Sequence, residues 1–156
     1  MALSAPVARR ATAFKELAYA DFQISDGVAG NAEAQANAVF VTPFAGQDLS
    51  TIDSATLSAL QTMREAAESA ETDQFNPQIA AASGATAAAL KVGKIKNKVL
   101  KLTGEVQVLN IKIAQATAAG KSTSSLEDQL HGEQTKLETN IKTDVASAGD
   151  ASKGVA

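Results

Sequence analysis

The chain has 156 residues and a formal net charge of −3; 45% of its residues are hydrophobic but only 4% aromatic, and it has no cysteine or tryptophan. Lack of cysteine excludes disulfides, thiolate catalysis and cysteine-based zinc sites, and the small net charge gives no global pull toward nucleic acid or anionic lipid. No stretch approaches the ~20 unbroken apolar residues of a membrane span. The abundant alanine, a strong helix former of small volume, favours closely approaching helices within one domain.

In chain order, Ala2-Leu3-Ser4-Ala5-Pro6 reads as the end of a signal-peptide apolar region with a small-residue cleavage site, and Arg9-Arg10 as a dibasic processing site. On this reading Met1 is a start codon placed on a mature secreted protein. Residues 1–11 are expected to be a disordered residual pro-segment, 12–148 a single helical domain and 149–156 a frayed tail. Phe14, Tyr19, Phe22, Phe40 and Phe44, five of the six aromatics, precede residue 45 and predict one hydrophobic layer. A short helix is expected over 14–22. A second, capped by Ser25 or Asp26, would place Val28, Ala32, Ala36, Val39 and Phe40 on one face until Thr42-Pro43-Phe44-Ala45-Gly46 breaks it.

Ser50-Thr51-Ile52-Asp53 resembles a capping box and opens a third helix, with Ile52, Ala55, Ala59, Met63, Ala66 and Ala70 on one face and Leu60 beside them. Phe75-Asn76-Pro77 should end it, since the residue before proline is pushed out of the α region. The small-residue run from Gln78 to Leu90 leads either straight into the next helix or into a bend at Gly84 or Gly93. Val92, Ile95, Val99, Leu102, Val106, Leu109, Ile113 and Ala116 alternate spacings of three and four, a heptad seam that needs partner helices. Gly120 stops this helix, and Ser124-Ser125-Leu126-Glu127 is a capping box for the last one, whose face is Leu126, Leu130, Leu137, Ile141, Val145 and Ala148. The short link makes the two an antiparallel hairpin. The 91–116 segment carries a net of +5 between helices of net −4 and −3, which selects neighbours more than it stabilises them.

The segment Leu17-Ala18-Tyr19-Ala20-Asp21-Phe22-Gln23-Ile24-Ser25-Asp26-Gly27-Val28-Ala29-Gly30-Asn31-Ala32 resembles the signature of a widespread family of fungal small secreted proteins. The likeness is most specific over residues 17–40 and looser over the helical remainder. It implies a secreted fungal product that is all-helical, extracellular or associated with the cell wall, and it carries no catalytic residues to transfer. In composition alone the chain also resembles fungal hydrophobic-surface-binding and cell-wall mannoprotein helical modules.

Motifs that suggest chemistry have simpler explanations. Gly120-Lys121-Ser122-Thr123 imitates the end of a phosphate-binding loop, but position 115 is Gln and a helix, not a strand, precedes it. His131, the single histidine, cannot supply the two Glu-x-x-His pairs of a di-iron bundle, although Glu127 and Asp128 lie nearby. No serine stands in an elbow-like context for a Ser-His-Asp mechanism. Asp21, Asp26, Asn31 and Glu33 are oxygen donors in a glycine-containing segment and form the candidate divalent-cation set, with calcium as the example. Turn formation and capping compete for Asp26 and Asn31. Lys91 to Lys101 read as a solvated face opposite acidic helices.

The fold class expected is all-α: a bundle of four or more helices with a C-terminal antiparallel hairpin. The function expected is non-catalytic binding or interaction by a secreted fungal protein, with no nucleic-acid partner. One alternative is a carrier of a small apolar ligand, a lipid or pigment, lined by Phe14, Tyr19, Phe22, Phe40, Met63 and Phe75. Another is a protein that adsorbs to apolar surfaces or membranes. No cofactor is expected beyond the candidate divalent cation, and a homo-oligomer through the heptad seam stays open.

Overall fold

The computed structural model describes residues 14–156; the expected pro-segment and its processing sites lie outside them. The elements in order are α1 (Tyr19–Phe22), β1 (Gly27–Val28), α2 (Ala32–Phe40), two 3₁₀ turns (Thr42–Phe44 and Leu49–Thr51), α3 (Ser54–Ala70), a π-helical turn (Glu71–Phe75), α4 (Asn76–Ala81), α5 (Gly84–Ala118), α6 (Ser124–Ala146) and β2 (Ala151–Ser152). The described residues form an all-α bundle with one two-residue antiparallel ribbon, in which Gly27 pairs with Ser152 and Val28 with Ala151.

The heptad segment forms the axis. α5 is 35 residues long, and α2, α3 and α6 pack around it. Its buried set extends well beyond the expected seam: Val99, Leu102 and Leu109 are buried, but so are Lys96, Asn97, Leu100, Thr103, Gln107, Val108 and Ile111. Val92, Ile95, Val106, Ile113 and Ala116 are only half-buried. A heptad stripe serves one partner, whereas a helix covered by three neighbours must bury most of its circumference.

Two glycines in α5 are seats for neighbouring groups. A Cβ at Gly93 would fall on the Lys153 carbonyl and 3.3 Å from the Phe75 ring, and one at Gly104 would lie 3.0 Å from the Phe40 ring. The helix runs unbroken through Gly93; the chain breaks instead at Ala82 and Ser83, which are extended, before Gly84 at φ +60°.

Several local expectations are corrected. The first helix covers only residues 19–22, and the second starts at Ala32, not at a Ser25 or Asp26 cap. Gly27 and Gly30 have φ of +100° and +119°, so the chain turns there and Val28 sits in β1, half exposed. Asn76 stays α-helical (φ −59°, ψ −49°) despite Pro77. The π turn widens the ladder where proline lacks its N–H and crowds the carbonyl four residues back, so the helix passes through rather than ending. The Asp53 carboxylate caps α3 by accepting from the Thr56 amide at 2.7 Å. No side chain caps α6, so the Ser124–Glu127 box does not form.

Gly120 (φ +69°) does stop α5: the Gly120 amide donates to the Thr117 carbonyl and the Lys121 amide to the Ala116 carbonyl, the paired bonds of a Schellman motif. The 149–156 segment is held rather than frayed. The Gly149 amide donates to the Ala29 carbonyl, the Lys153 amide to Ala89, and the Gly154 amide to the Asp26 carboxylate. Strands of two residues are too short to show a hydrophobic alternation, so nothing local announces this ribbon.

Candidate functional site

The aromatic layer forms as expected. Phe14 stacks on Phe44 with ring centroids 5.2 Å apart, Tyr19 lies 5.5 Å from Phe22, and Phe22 meets Phe40 edge-on at 6.1 Å. Where α1, α2, the Thr42–Gln47 turn and α3 converge, the layer leaves a cleft of about 840 Å³. Its apolar walls are Phe14, Leu17, Phe22, Ile24, Val39 and Met63, with Pro43, Ala45 and Gly46 on the turn. Phe22, Ile24 and Met63 are buried, whereas Leu17 remains 36% exposed. Lys15, Asp21, Gln23 and Gln47 place polar groups among these walls. A concave, mostly apolar space of this size with a few polar groups is typical of small-molecule sites.

Three of the six expected lining residues, Phe14, Phe22 and Met63, reach this cleft. The other three do not line it. Phe40 and Phe75 are fully buried, against Gly104 and Gly93 respectively. The Tyr19 hydroxyl donates to Asn97 Oδ1 at 2.6 Å, and Asn97 Nδ2 donates to the Ala67 carbonyl at 2.8 Å, so this chain ties α1 to α5 and α3. Burial pushes the Tyr19 phenol up to about 12, Ser25 draws it back, and Asp26 adds to the rise. Sequence reading missed Leu17, Ile24 and Val39 as cleft residues. The available signal was their position beside aromatics that pack inward.

Of the four expected oxygen donors, Asp26 is held in other bonds and the rest stand apart from it. Asp21 stands at the cleft, Asn31 precedes α2 without a side-chain capping bond, and Glu33 is exposed on α2. Asp26 accepts from Gln23 Nε2 at 2.7 Å and from the Gly154 amide at 2.9 Å. Among the described residues no group of three or more His, Cys, Asp or Glu is arranged to hold a metal.

Behind the cleft lies a buried polar knot. Lys96, fully buried, donates from Nζ to the Val28 carbonyl at 2.8 Å. Burial holds its ammonium below the usual lysine range, while Asp144 and Asp26 oppose that shift. Asp144 of α6 accepts from the Gly30 and Ala32 amides, each at 3.0 Å, and so caps α2 from a remote element. Ser25 Oγ donates to the Gly93 carbonyl at 2.8 Å, and Ser152 Oγ donates to the Ser25 carbonyl. These bonds join residues 25–32 to α5, α6 and β2, and so anchor the chain that directly follows the Asp21–Ile24 wall of the cleft.

No curated protein and no solved structure matches the chain. A family model described as Domain of unknown function (DUF8454) matches residues 14–156, and the chain belongs to that family.

Proposed function

For this member of that family we propose a non-catalytic binding role, in which the cleft beside the aromatic layer takes up a small apolar molecule of the lipid or pigment class. The observation that carries the reading is the cleft itself: about 840 Å³, walled by aromatic and aliphatic side chains. That volume falls within the range of ~300–1,000 Å³ usual for ligand pockets. Lys15, Asp21, Gln23 and Gln47 would orient a polar end while the apolar body lies against Phe22, Ile24 and Met63. The resemblance of residues 17–40 to fungal small secreted proteins supports an extracellular or cell-wall setting for this binding.

Titration with Nile red, an uncharged apolar dye, tests the proposal. The wild-type chain should bind it at micromolar concentrations with a rise in fluorescence. Leu17→Glu puts a charge on the partly exposed wall and should weaken binding about tenfold, with little change in thermal midpoint because Leu17 is 36% exposed. Absence of dye binding, or equal binding by Leu17→Glu, would remove the cleft as the site.

A further inference from the structure

We propose that the 149–156 segment sets the wall of the cleft through a relay of side chains, with Asp26 as the positioning residue; this rests on the cleft reading above. The relay starts at Gly154, whose amide donates to Asp26 Oδ1 at 2.9 Å. Asp26 Oδ2 accepts from Gln23 Nε2 at 2.7 Å, and Gln23 Oε1 accepts from the Ser25 amide at 2.8 Å. Gln23 lines the cleft between Phe22 and Ile24. Both ends of its side-chain amide are therefore engaged, and its orientation depends on a carboxylate held by a segment 128 residues away.

The anchor for this relay is firm. The segment is zipped to β1, its Lys153 amide bonds the Ala89 carbonyl, and its backbone occupies the notch over Gly93. Gly154 is itself pressed against the relay: a Cβ there would meet Gln23 Oε1 at 3.0 Å and Asp26 Oδ1 at 3.2 Å. The strand pairing alone would hold Gly27 and Val28. The Gly154–Asp26–Gln23 bonds carry that order onward to the cleft wall. Releasing the segment therefore loosens the wall and lowers the hold on a bound molecule.

Asp26→Asn separates the two halves of the relay. The asparagine can still accept from the Gly154 amide, but its amino group faces the Gln23 amino group. If Gln23 turns over to satisfy it, the Ser25 amide loses its acceptor. If Gln23 does not turn, its amino group has lost the carboxylate that held it and the amide is released from its place; by either route the Ser25 amide should exchange with solvent at least about tenfold faster, and the Ile24 methyl signal should shift. The Ala29 amide, bonded to the Asp150 carbonyl at 3.0 Å, should keep its rate. Nile red binding should weaken at least about threefold.

Unchanged Ser25 exchange, or parallel acceleration at Ser25 and Ala29, would overturn the relay, as would altered exchange without any shift at Ile24. If the wild-type chain fails to bind Nile red, the cleft reading falls, and the Ser25, Ala29 and Ile24 signals still judge the relay by themselves.

Discussion

α5 and α6 each carry an apolar stripe and form one hairpin, yet they differ sharply in burial. α5 is buried along most of its length and encloses a lysine and an asparagine, both fully covered. α6 buries only Asn140 and Asp144; Leu126, Leu130, Leu137 and Ile141 are half-covered, and Val145 is 56% exposed. The difference lies in the number of neighbours. α6 leans on α5 and touches α2 slightly, whereas α5 is shared by α2, α3, α6, the Leu49–Thr51 turn and β2. A helix with several neighbours must accommodate polar groups and backbone contacts that no single stripe anticipates, and these are where substitution is costly.

Glycine replacement gives the largest contrast. Gly93→Val would push side-chain atoms into the Lys153 carbonyl and the Phe75 ring, and should cost about 4 kcal/mol or more in denaturant unfolding. Gly132→Ala in α6 meets nothing within 4 Å and should stabilise the chain by about 0.5–1 kcal/mol, the helix-propensity gain. Equal effects at the two sites would erase the distinction drawn between the helices.

The lysines sharpen it next. Lys96→Ala strands the Val28 carbonyl and empties a fully buried site, so a loss of about 2–4 kcal/mol is expected. Lys142→Ala on exposed α6 should stay within about 0.5 kcal/mol.

Smaller still is the effect at Glu105, where α5 faces α3 and α6. Burial raises the Glu105 pKa first, Glu133 and Glu68 add to the rise, and Arg64 and Lys101 counter it. A raised carboxyl favours the protonated fold, so stability falls as pH rises from its ordinary value through the folded one. Glu105→Gln should thus gain a few tenths to about 1 kcal/mol at neutral pH and nothing near pH ~4.

The lone tyrosine offers a spectroscopic check on the polar chain that joins α1 to α5. Tyrosinate absorbance should titrate at about 12 rather than 10.0, because Tyr19 is the only tyrosine and is partly buried, with its hydroxyl bonded to Asn97. The sign follows: the phenol's contribution is intact below pH ~10 and is lost as pH rises toward ~12. Asn97→Ala should shift that midpoint, since it removes the acceptor of the phenol.

Features with a local cause were legible in the chain. The hairpin, the Gly120 stop and the aromatic layer follow from periodicity, one glycine and clustered rings. Lys96 was not legible, since a lysine among Lys94, Lys98 and Lys101 reads as solvated. Of the charge partition, only Lys101–Glu71 at 3.1 Å joins different helices among the described residues. The Asp144 cap on α2 spans 112 residues, and the ribbon holding the 149–156 segment is two residues long, so neither leaves a pattern in a short window. For the cleft, Phe14, Phe22 and Met63 were visible as apolar side chains, but which aromatics fill the core and which line a space depends on the Gly93 and Gly104 notches.

The binding role is tested most directly by native mass spectrometry of the full chain extracted from its natural source without denaturation. A second mass, lost on organic extraction and belonging to one apolar small molecule, is the predicted result. A clean mass of the bare polypeptide, unchanged by extraction, would contradict it.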